Sequence, residues 1–286
     1  MANLIKLPDL NNVGANSTAT LKIPKYLLTL TRLVLKMGGT NFTKAHLKTI
    51  KVKLGSRVVW SLETFNAVAA GTFLDRINKY RGLYDQADTI TIDWTERDFM
   101  NIVAREIGGY DLASLADDLY LEVEIGAATA PTLAVFGQFT PPQTDKPGVP
   151  SNDVIVQKLM SAPWSYAAGG RYYLNFNPRG ALIKRIYFNF SGTQGAAGVD
   201  SNLWKVEIKK NGQTIFDPNE SVFRFVQQEM GRVPQSNMYV MDFVHDNNAS
   251  GALVTADSAS FEIIKNFTGA DTGVAYFEVL DTPYNL

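Results

Sequence analysis

The stretch TATLKIPKYLLTLTRLVLKMGGT, residues 18–40, returns in a weaker form as YYLNFNPRGALIKRIYFNFSGT, residues 172–193. Later segments repeat in the same order. The equivalent positions are Leu21 and Leu174, Ile23 and Phe176, Arg32 and Arg185, Leu33 and Ile186, Leu35 and Phe188, Met37 and Phe190, Leu47 and Leu203, Ile50 and Val206, Val52 and Ile208, 92–94 and 241–243, and 121–123 and 261–263. The copies lie roughly 150 residues apart, which is the size of a domain and too long for a solenoid repeat. The sequence therefore predicts two tandem copies of one fold.

The repeated segments have the period of β-strands. LYLEVEI, residues 119–125, places apolar and acidic side chains on opposite faces. WKVEIKK, residues 204–210, predicts that Trp204, Val206 and Ile208 point inward. Alternation of this kind is typical of antiparallel sandwiches and barrels with one buried face. A slip of one residue would reverse every side chain, so the parity shared by both copies favours an all-β fold of two tandem antiparallel sandwiches or barrels.

Helices are predicted only as short insertions between strands. Residues 218–230 have Asp217 as an N-cap, Pro218 at the first helical position and Gly231 as a stop signal. Residues 62–80 hold a helix-like pattern at the corresponding place of the first copy, and residues 97–117 predict short helical turns. The stripe expected to face the core on the second-copy helix consists of Val222, Phe223, Val226 and Met230.

The proline-rich segment PPQTDKPGVP, residues 141–150, predicts an extended linker between the copies. DVIVQKLM, residues 153–160, is expected to form a short helix within it. A chain of 286 residues exceeds the roughly 250 at which a single hydrophobic core stops growing. We predict an N-terminal domain over residues 1–143, a linker over 144–168 and a C-terminal domain over 169–286.

The composition excludes several classes of protein. Hydrophobic residues make up 45% of the chain, and 27 basic against 28 acidic residues give a net charge of −1. A nucleic-acid-binding surface needs a basic excess, so we expect no direct contact with nucleic acid. Because no apolar run reaches 18 residues, we also expect no membrane insertion. With no cysteine, the chain has no disulfides, no thiolate nucleophile and no cysteine-based zinc site.

The sequence supplies no constellation for catalysis. Its two histidines, His46 and His245, occupy non-equivalent places in the repeat and have no second histidine nearby, so neither forms a cupin-type metal site. A Gly-x-Ser-x-Gly elbow is missing. The glycine-rich loop at residues 191–200 lacks the Gly-Lys-Ser/Thr ending of a phosphate-binding P-loop. We therefore assign no catalytic and no cofactor-binding residue.

Acidic residues leave two alternatives open. Asp117 and Asp118 precede a strand, and Asp242 and Asp246 flank His245, where oxygen ligands would suit calcium. The spacing matches no EF-hand, so structural calcium stays open and no metal ligand is assigned. Paired carboxylates of the glycosidase type depend on three-dimensional separation. A two-domain carbohydrate-binding or carbohydrate-active protein is therefore the alternative function.

Four segments carry a resemblance to a known family. They are LPDLNNVGANSTATLKIP (residues 7–24), LKTIKVKLGSRVVWSLETFN (47–66), LYLEVEIGAATAPTLAVFG (119–137) and LIKRIYFNFSG (182–192). In order and position they resemble the major capsid protein of corticovirus-type phages, which are tailless icosahedral phages with a membrane inside the shell. The segments fall in both copies of the repeat.

The resemblance implies a double jelly roll, that is, an all-β fold of two tandem jelly-roll β-barrels over residues 1–143 and 169–286. It also implies a structural coat protein with no catalytic residues and no cofactor. It implies homotrimers that form pseudo-hexagonal capsomers and contact neighbouring capsomers, with vertex and membrane-associated virion proteins as further partners. The protein would be made in the host cytoplasm and reside in the virion.

Overall fold

The computed structural model describes residues 3–96, 98–99, 105–143, 154–174, 176, 178, 180–196 and 198–285. The chain divides into two compact units. Unit 1 comprises Met1–Lys79, Leu83–Leu159 and Leu280–Leu286, and unit 2 comprises Tyr80–Gly82 and Met160–Val279. The predicted limits of the two domains, residues 1–143 and 169–286 with a linker over 144–168, stay a prediction.

Unit 1 contains two antiparallel sheets. Its strands are β1 (Asn3–Lys6), β2 (Ser17–Ile23), β3 (Thr29–Gly38), β4 (Leu47–Leu54), β5 (Arg57–Leu62), β6 (Thr89–Asp93), β7 (Tyr110–Asp111), β8 (Leu119–Ile125) and β9 (Thr132–Thr140). One sheet has the order β1-β9-β3-β6 with β7 paired to β3, and the other has the order β2-β8-β4-β5.

Unit 2 repeats this arrangement. Its strands are β10 (Val156–Tyr166, of which the first residues belong to unit 1), β11 (Gly170–Leu174), β12 (Leu182–Phe190), β13 (Leu203–Lys210), β14 (Gln213–Phe216), β15 (Met238–Asp242), β16 (Leu253–Val254), β17 (Phe261–Phe267) and β18 (Asp271–Asp281). The orders are β10-β18-β12-β15 and β11-β17-β13-β14. Each strand of unit 1 thus has a counterpart at the same place in unit 2, including β7 at the start of β3 and β16 at the start of β12.

The repeat extends to the pairing register. Arg32 lies opposite Asp93 between β3 and β6, and the equivalent Arg185 lies opposite Asp242 between β12 and β15. Register decides which face of a strand is buried. The shared register therefore gives both units the same inward and outward positions, and the predicted double jelly roll is confirmed.

The cores consist of the inward positions that the alternation predicts. Leu35 and Phe188, which are equivalent in the repeat, are both fully buried. In the other sheet of unit 1, the inward residues Ile50 and Val52 of β4 and Leu121 and Val123 of β8 are also buried. In unit 2, aromatic side chains fill more of the interior, including Trp164, Phe188 and Phe277.

One inward prediction is wrong, and a β-bulge explains it. The pairing of β13 with β17 shifts between Leu203 and Lys205. The extra residue rotates the strand start, so Leu203 is fully buried while Trp204 is only half-buried. Unit 1 has the same bulge, between Leu47 and Thr49. The unequal spacing of Leu47, Ile50 and Val52 in the sequence already reflected it.

The helices differ from prediction in their limits. Helix α1 spans Ala70–Tyr80, because β5 continues to Leu62 and Phe65 forms a bridge with Val68. Residues 154–160 do not form the predicted helix, since they enter β10, where the Tyr110 hydroxyl donates a hydrogen bond to the Gln157 carbonyl. The predicted linker at 144–153 and the predicted turns at 97 and 100–104 lie outside the described residues.

Helix α2 spans Glu220–Glu229 with Asn219 as its N-cap. The predicted cap, Asp217, instead pairs with Lys205 at 2.7 Å. The cap function belongs to Asp200, whose carboxylate accepts the Ser221 backbone N–H at 2.8 Å. This contact comes from a loop far back in the sequence, so the local pattern at the helix start could not reveal it.

Both helices are attached to their sheets in the same way. Asn78 of α1 donates to the Thr91 carbonyl of β6 at 2.8 Å, and the equivalent Gln227 of α2 donates to the Val240 carbonyl of β15 at 2.6 Å. The two helices also end alike, with Leu83 N–H bonded to the Asn78 carbonyl and Arg232 N–H to the Gln227 carbonyl. The residues before these donors, Gly82 and Gly231, have φ of 71° and 76°, as a Schellman-type C-terminus requires.

The last residues of the chain complete unit 1. Asp281 pairs with Lys158 at 3.0 Å, and both side chains are 3% exposed. The Tyr284 carbonyl accepts a hydrogen bond from Arg57 at 2.6 Å, and its hydroxyl accepts the Ala116 N–H at 2.9 Å. The end of β18 and the segment after it therefore belong to unit 1. Among the described residues, the helices are too short and too polar to cross a membrane.

Candidate functional site

The two histidines serve local structure and are each held by their own neighbours. His46 Nδ1 accepts the Thr43 N–H at 3.1 Å in the turn before β4. His245 Nδ1 donates to the Asp242 carbonyl at 2.8 Å, and its ring packs edge-on against Phe223. The structure brings neither into a cluster with carboxylates that could hold a metal, within the residues it describes.

The acidic candidates for calcium have other partners. Asp118 pairs with Lys22 at 2.6 Å, and Asp242 pairs with Arg185 Nε at 3.0 Å. Asp246 accepts the Asn248 N–H in a turn. Since Lys22 bonds to it, the Asp118 carboxyl has a pKa below its ordinary value. Each of these three carboxylates therefore has a partner within the protein.

The glycine-rich loop is also stabilised from within. Asp271 accepts the backbone N–H groups of Ser191 and Gly192, both at 3.2 Å. Ser201 Oγ accepts the N–H of Gly195 at 3.0 Å. A phosphate-binding loop needs such N–H groups directed at its ligand. In this loop a buried carboxylate already binds two of them.

The outer face of the second sheet in unit 1 carries an open groove of about 800 Å³. Lys48, Glu63 and Glu124 line it together with His46. Along the same face, Lys53 pairs with Glu122 at 2.7 Å and Lys51 with Glu63 at 3.0 Å. The outward lysines of β4 and the glutamates beside them therefore form a solvated ladder of opposite charges.

A buried charged cluster on unit 2 escaped the sequence analysis. Arg185 Nε lies 3.0 Å from Asp242, and its Nη1 lies 3.1 Å from Glu278. Tyr187 donates to Glu278 at 2.7 Å, and Tyr80 donates to Asp242 at 3.1 Å. Burial, followed by the adjacent carboxylate, raises the pKa of both tyrosines well above the ordinary value. The cluster lies on the outward side of β12, β15 and β18, and the segment Tyr80–Gly82 of unit 2 contributes to covering it.

The equivalent face of unit 1 is open. Gln138 accepts a hydrogen bond from Arg32 at 3.4 Å, as Glu278 does from Arg185 in unit 2. We call this surface the open face and define it by Arg32, Val34, Phe136 and Gln138, all of them half-buried. The counterparts in unit 2 are Arg185, Tyr187, Tyr276 and Glu278, all at most 2% exposed. The same four strand positions are thus covered in one unit and uncovered in the other.

A single lysine lies inside the jelly roll of unit 2. Lys265 is fully buried, and its ammonium lies 4.2 Å from the centre of the Trp164 ring and 4.9 Å from that of Tyr166. Lys265 Nζ has no hydrogen-bond partner among the described residues. Burial lowers the pKa of Lys265 to about 7. The strand pattern FEIIKNF, residues 261–267, places it inward and could have revealed it.

Helix α2 has the reverse of the orientation that its sequence predicts. It buries the polar residues Glu220 and Gln227 together with Phe223. Val222, Phe225 and Met230 are 56%, 60% and 46% exposed. The predicted apolar stripe therefore faces the core only at Phe223. An exposed apolar face on a helix marks a surface that contacts another molecule more often than it marks chance.

Two family profiles match the sequence. The profile described as "Viral coat protein P2 N-terminal domain" matches residues 4–140, and that of the "Viral coat protein P2 C-terminal domain" matches residues 156–283. No curated protein matches at a significant level.

Solved structures share the fold at low sequence identity. The major capsid protein P2 of bacteriophage PM2 has a TM-score of 0.77 and 15% identity, with all of both chains covered. The major capsid protein of Sulfolobus turreted icosahedral virus has a TM-score of 0.72 and 13% identity, covering 99% of this chain and 98% of its own. The PBCV-1 protein VP54 has a TM-score of 0.63 and 14% identity, covering 100% and 97%.

Proposed function

Because the chain belongs to the viral coat protein P2 family, we propose that it is the major capsid subunit of an icosahedral virus whose shell encloses a membrane. The observation that carries this function is the duplication itself. Two jelly rolls in one chain share strand order and the register of Arg32 with Asp93 and of Arg185 with Asp242. Such a chain offers two similar walls to its neighbours.

The working unit is a homotrimer. Three copies of a duplicated jelly roll present six similar domains, which is the outline that a six-coordinated position in a shell requires. A heterologous contact that closes after three subunits forms a ring and not a filament. The net charge of −1 keeps repulsion between closely packed subunits small. Neighbouring capsomers are the next partners, followed by vertex and membrane-associated virion proteins.

The role is structural, without turnover and without a cofactor. The contacts of His46 and His245 to their own turns support this, as do the cations beside Asp118 and Asp242. The subunit is made in the host cytoplasm and resides in the virion. It contacts neither the genome directly nor the membrane interior. The alternative, a carbohydrate-binding or carbohydrate-active protein, has no support from the comparisons.

The test is assembly. Native mass spectrometry of the purified protein should show trimers, and electron microscopy of particles from its source should show the chain as the main shell protein. His46→Ala and His245→Ala should fold and assemble like the wild type. A stable monomer that never enters a particle would contradict the capsid function. Loss of particles in a histidine variant that still folds would reveal a site with a role beyond its local turn.

A further inference from the structure

The same stripe of helix positions is buried on α1 and is not buried on α2. On α1 the stripe consists of Phe73, Ile77, Tyr80 and Arg81, all at most 8% exposed. The equivalents on α2, which we call the α2 stripe, are Val222, Val226, Glu229 and Met230. None of these is buried, and Val222 and Met230 are about half exposed. The equivalence is fixed by the shared tethers of Asn78 and Gln227 and by the shared C-terminus at Gly82 and Gly231.

The end of the α1 stripe shows what such a stripe contacts. Tyr80 donates to Asp242 at 3.1 Å, and its ring meets that of Tyr187 edge-on at 6.4 Å. Both partners belong to the outward side of β12 and β15 in unit 2. The residue at the C-terminal end of the stripe, Tyr80, therefore fits the outward side of a jelly-roll sheet of this repeat. The corresponding surface of unit 1 is the open face.

We propose that the α2 stripe of one copy docks on the open face of unit 1 in a second copy. This inference rests on the proposed function and names the surfaces through which the trimer closes. In the proposed contact, Glu229 stands at the position equivalent to Tyr80, Val34 at that of Tyr187 and Asp93 at that of Asp242. The docked contact thus reproduces between copies the one that Tyr80 makes within unit 2.

The chemistry of the two surfaces is complementary. The α2 stripe offers the apolar Val222, Val226 and Met230 with Glu229 as its acid. The open face offers Val34 and Phe136 with the basic Arg32. Glu229 would come next to Arg32, where Tyr80 approaches Arg185 in unit 2. Opposite charges at the rim of an apolar patch fix orientation and exclude other partners.

The contact is heterologous, since one copy supplies unit 2 and the next supplies unit 1. Each copy therefore has one stripe and one open face, and a ring uses all of them. Self-pairing of two α2 helices would instead give a two-fold dimer and leave both open faces exposed. The choice between these arrangements is testable because the chain has no cysteine of its own.

Cysteine cross-linking between two singly substituted chains tests the contact. Val34→Cys and Glu229→Cys chains are purified separately, mixed under dissociating conditions, reassembled and oxidised. The proposal predicts a covalent dimer in the mixture and none from either chain alone. This product is diagnostic because a disulfide forms only where the two Cα atoms come within about 7 Å. The chain with both substitutions should give covalent trimers as its largest product. Dimers from Glu229→Cys alone would overturn the proposal in favour of self-pairing.

A charge placed in the stripe gives an independent readout. Val222→Glu changes a side chain that is 56% exposed in the single chain, so folding is expected to survive, while the trimer fraction in native mass spectrometry should fall at least tenfold. Val199→Glu, with a matched exposure of 57% in unit 2, should leave trimers intact. Trimers that persist in Val222→Glu, or that form without the mixed cross-link, would refute this interface while leaving the capsid function in place. A wild-type protein without trimers would refute the proposed function itself.

Discussion

The two units share their interiors and differ on their outward sides. Inward positions of β3 and β12 are apolar and buried in both units, from Leu35 to its equivalent Phe188. On the outward side, Arg185 is fully buried in a charged cluster while its equivalent Arg32 stays half-buried on the open face. The duplication has therefore conserved the scaffold and changed the surroundings. Equivalent residues in one chain become internal controls for each other.

The largest difference in stability is expected at Lys265, whose equivalent in unit 1 is the buried Ile125. Burial lowers the pKa of Lys265 from 10.5 to about 7, so the folded protein holds fewer protons than the unfolded chain between these values. Stability should rise with pH across this range, and the shift corresponds to up to ~5 kcal/mol. Lys265→Met removes the penalty. Its gain in the free energy of unfolding should be largest below pH 7 and shrink toward pH 10.5.

Urea unfolding at pH 6 and at pH 10 measures this gain. Lys209→Met, on the polar face of β13, is the matched control and should change stability little at either pH. The reciprocal Ile125→Lys should destabilise unit 1 with the same pH dependence. An identical effect of Lys265→Met at both pH values would show that folding does not lower the pKa of Lys265.

The variants Arg185→Ala and Arg32→Ala compare the buried charged cluster of unit 2 with the open face of unit 1. Removing Arg185 leaves Asp242 and Glu278 buried with less positive charge, which costs about 3–5 kcal/mol. Removing the half-buried Arg32 should cost under about 1 kcal/mol in the isolated subunit. Chemical denaturation of both variants gives the two values. Equal losses would mean that the open face is as well covered in solution as its counterpart.

Gly82→Ala and Gly231→Ala test whether the helix ends are true equivalents. Both glycines have positive φ, and a Cβ at either position meets no atom within 4 Å. The cost therefore comes from the backbone alone and should be about 1–2 kcal/mol in each variant. Thermal unfolding should show the same loss for both. A clear difference would place an additional constraint on one of the two ends.

The smallest effect is expected in the charge cluster around α1, which α2 lacks in this form. Lys44 and Lys79 both contact Asp85, at 2.6 and 3.0 Å. The lysine contacts lower the pKa of Asp85 from 3.8 to about 2. Its contribution is therefore present above pH 4 and is lost as the pH falls through about 2. Asp85→Asn should cost under about 1 kcal/mol at pH 7. The same loss at pH 2 would contradict this account.

The sequence predicted the parts of the fold that follow from strand parity. Equivalent pairs such as Leu33 with Ile186 and Val52 with Ile208 fall on equivalent strands. In both copies the alternation of apolar and polar residues marks the strand face that the core buries. The bulge that turns Trp204 outward is a two-strand property, so a single strand pattern could not predict it. The same holds for the Asp200 contact at the start of α2, which comes from a distant loop.

Helix faces were less predictable for a different reason. An apolar stripe such as Val222, Val226 and Met230 signals burial without stating what buries it. On α1 the equivalent stripe is covered in the single chain, whereas on α2 it is not. The buried cluster was within reach of the sequence, because Arg185 and Asp242 repeat Arg32 and Asp93. Its burial was not, since it depends on Tyr80–Gly82, a segment distant in the chain.

The return of residues 280–286 to unit 1 affects the timing of synthesis. A ribosome makes most of unit 1 first, yet Lys158 cannot meet Asp281 until the whole of unit 2 has been synthesised. The N-terminal jelly roll is thus the first to begin folding and the last to be completed. A chain that terminates within unit 2 carries an unfinished unit 1, with a lysine lacking its carboxylate. Completion of the first jelly roll is thereby tied to synthesis of the second, before any capsomer forms.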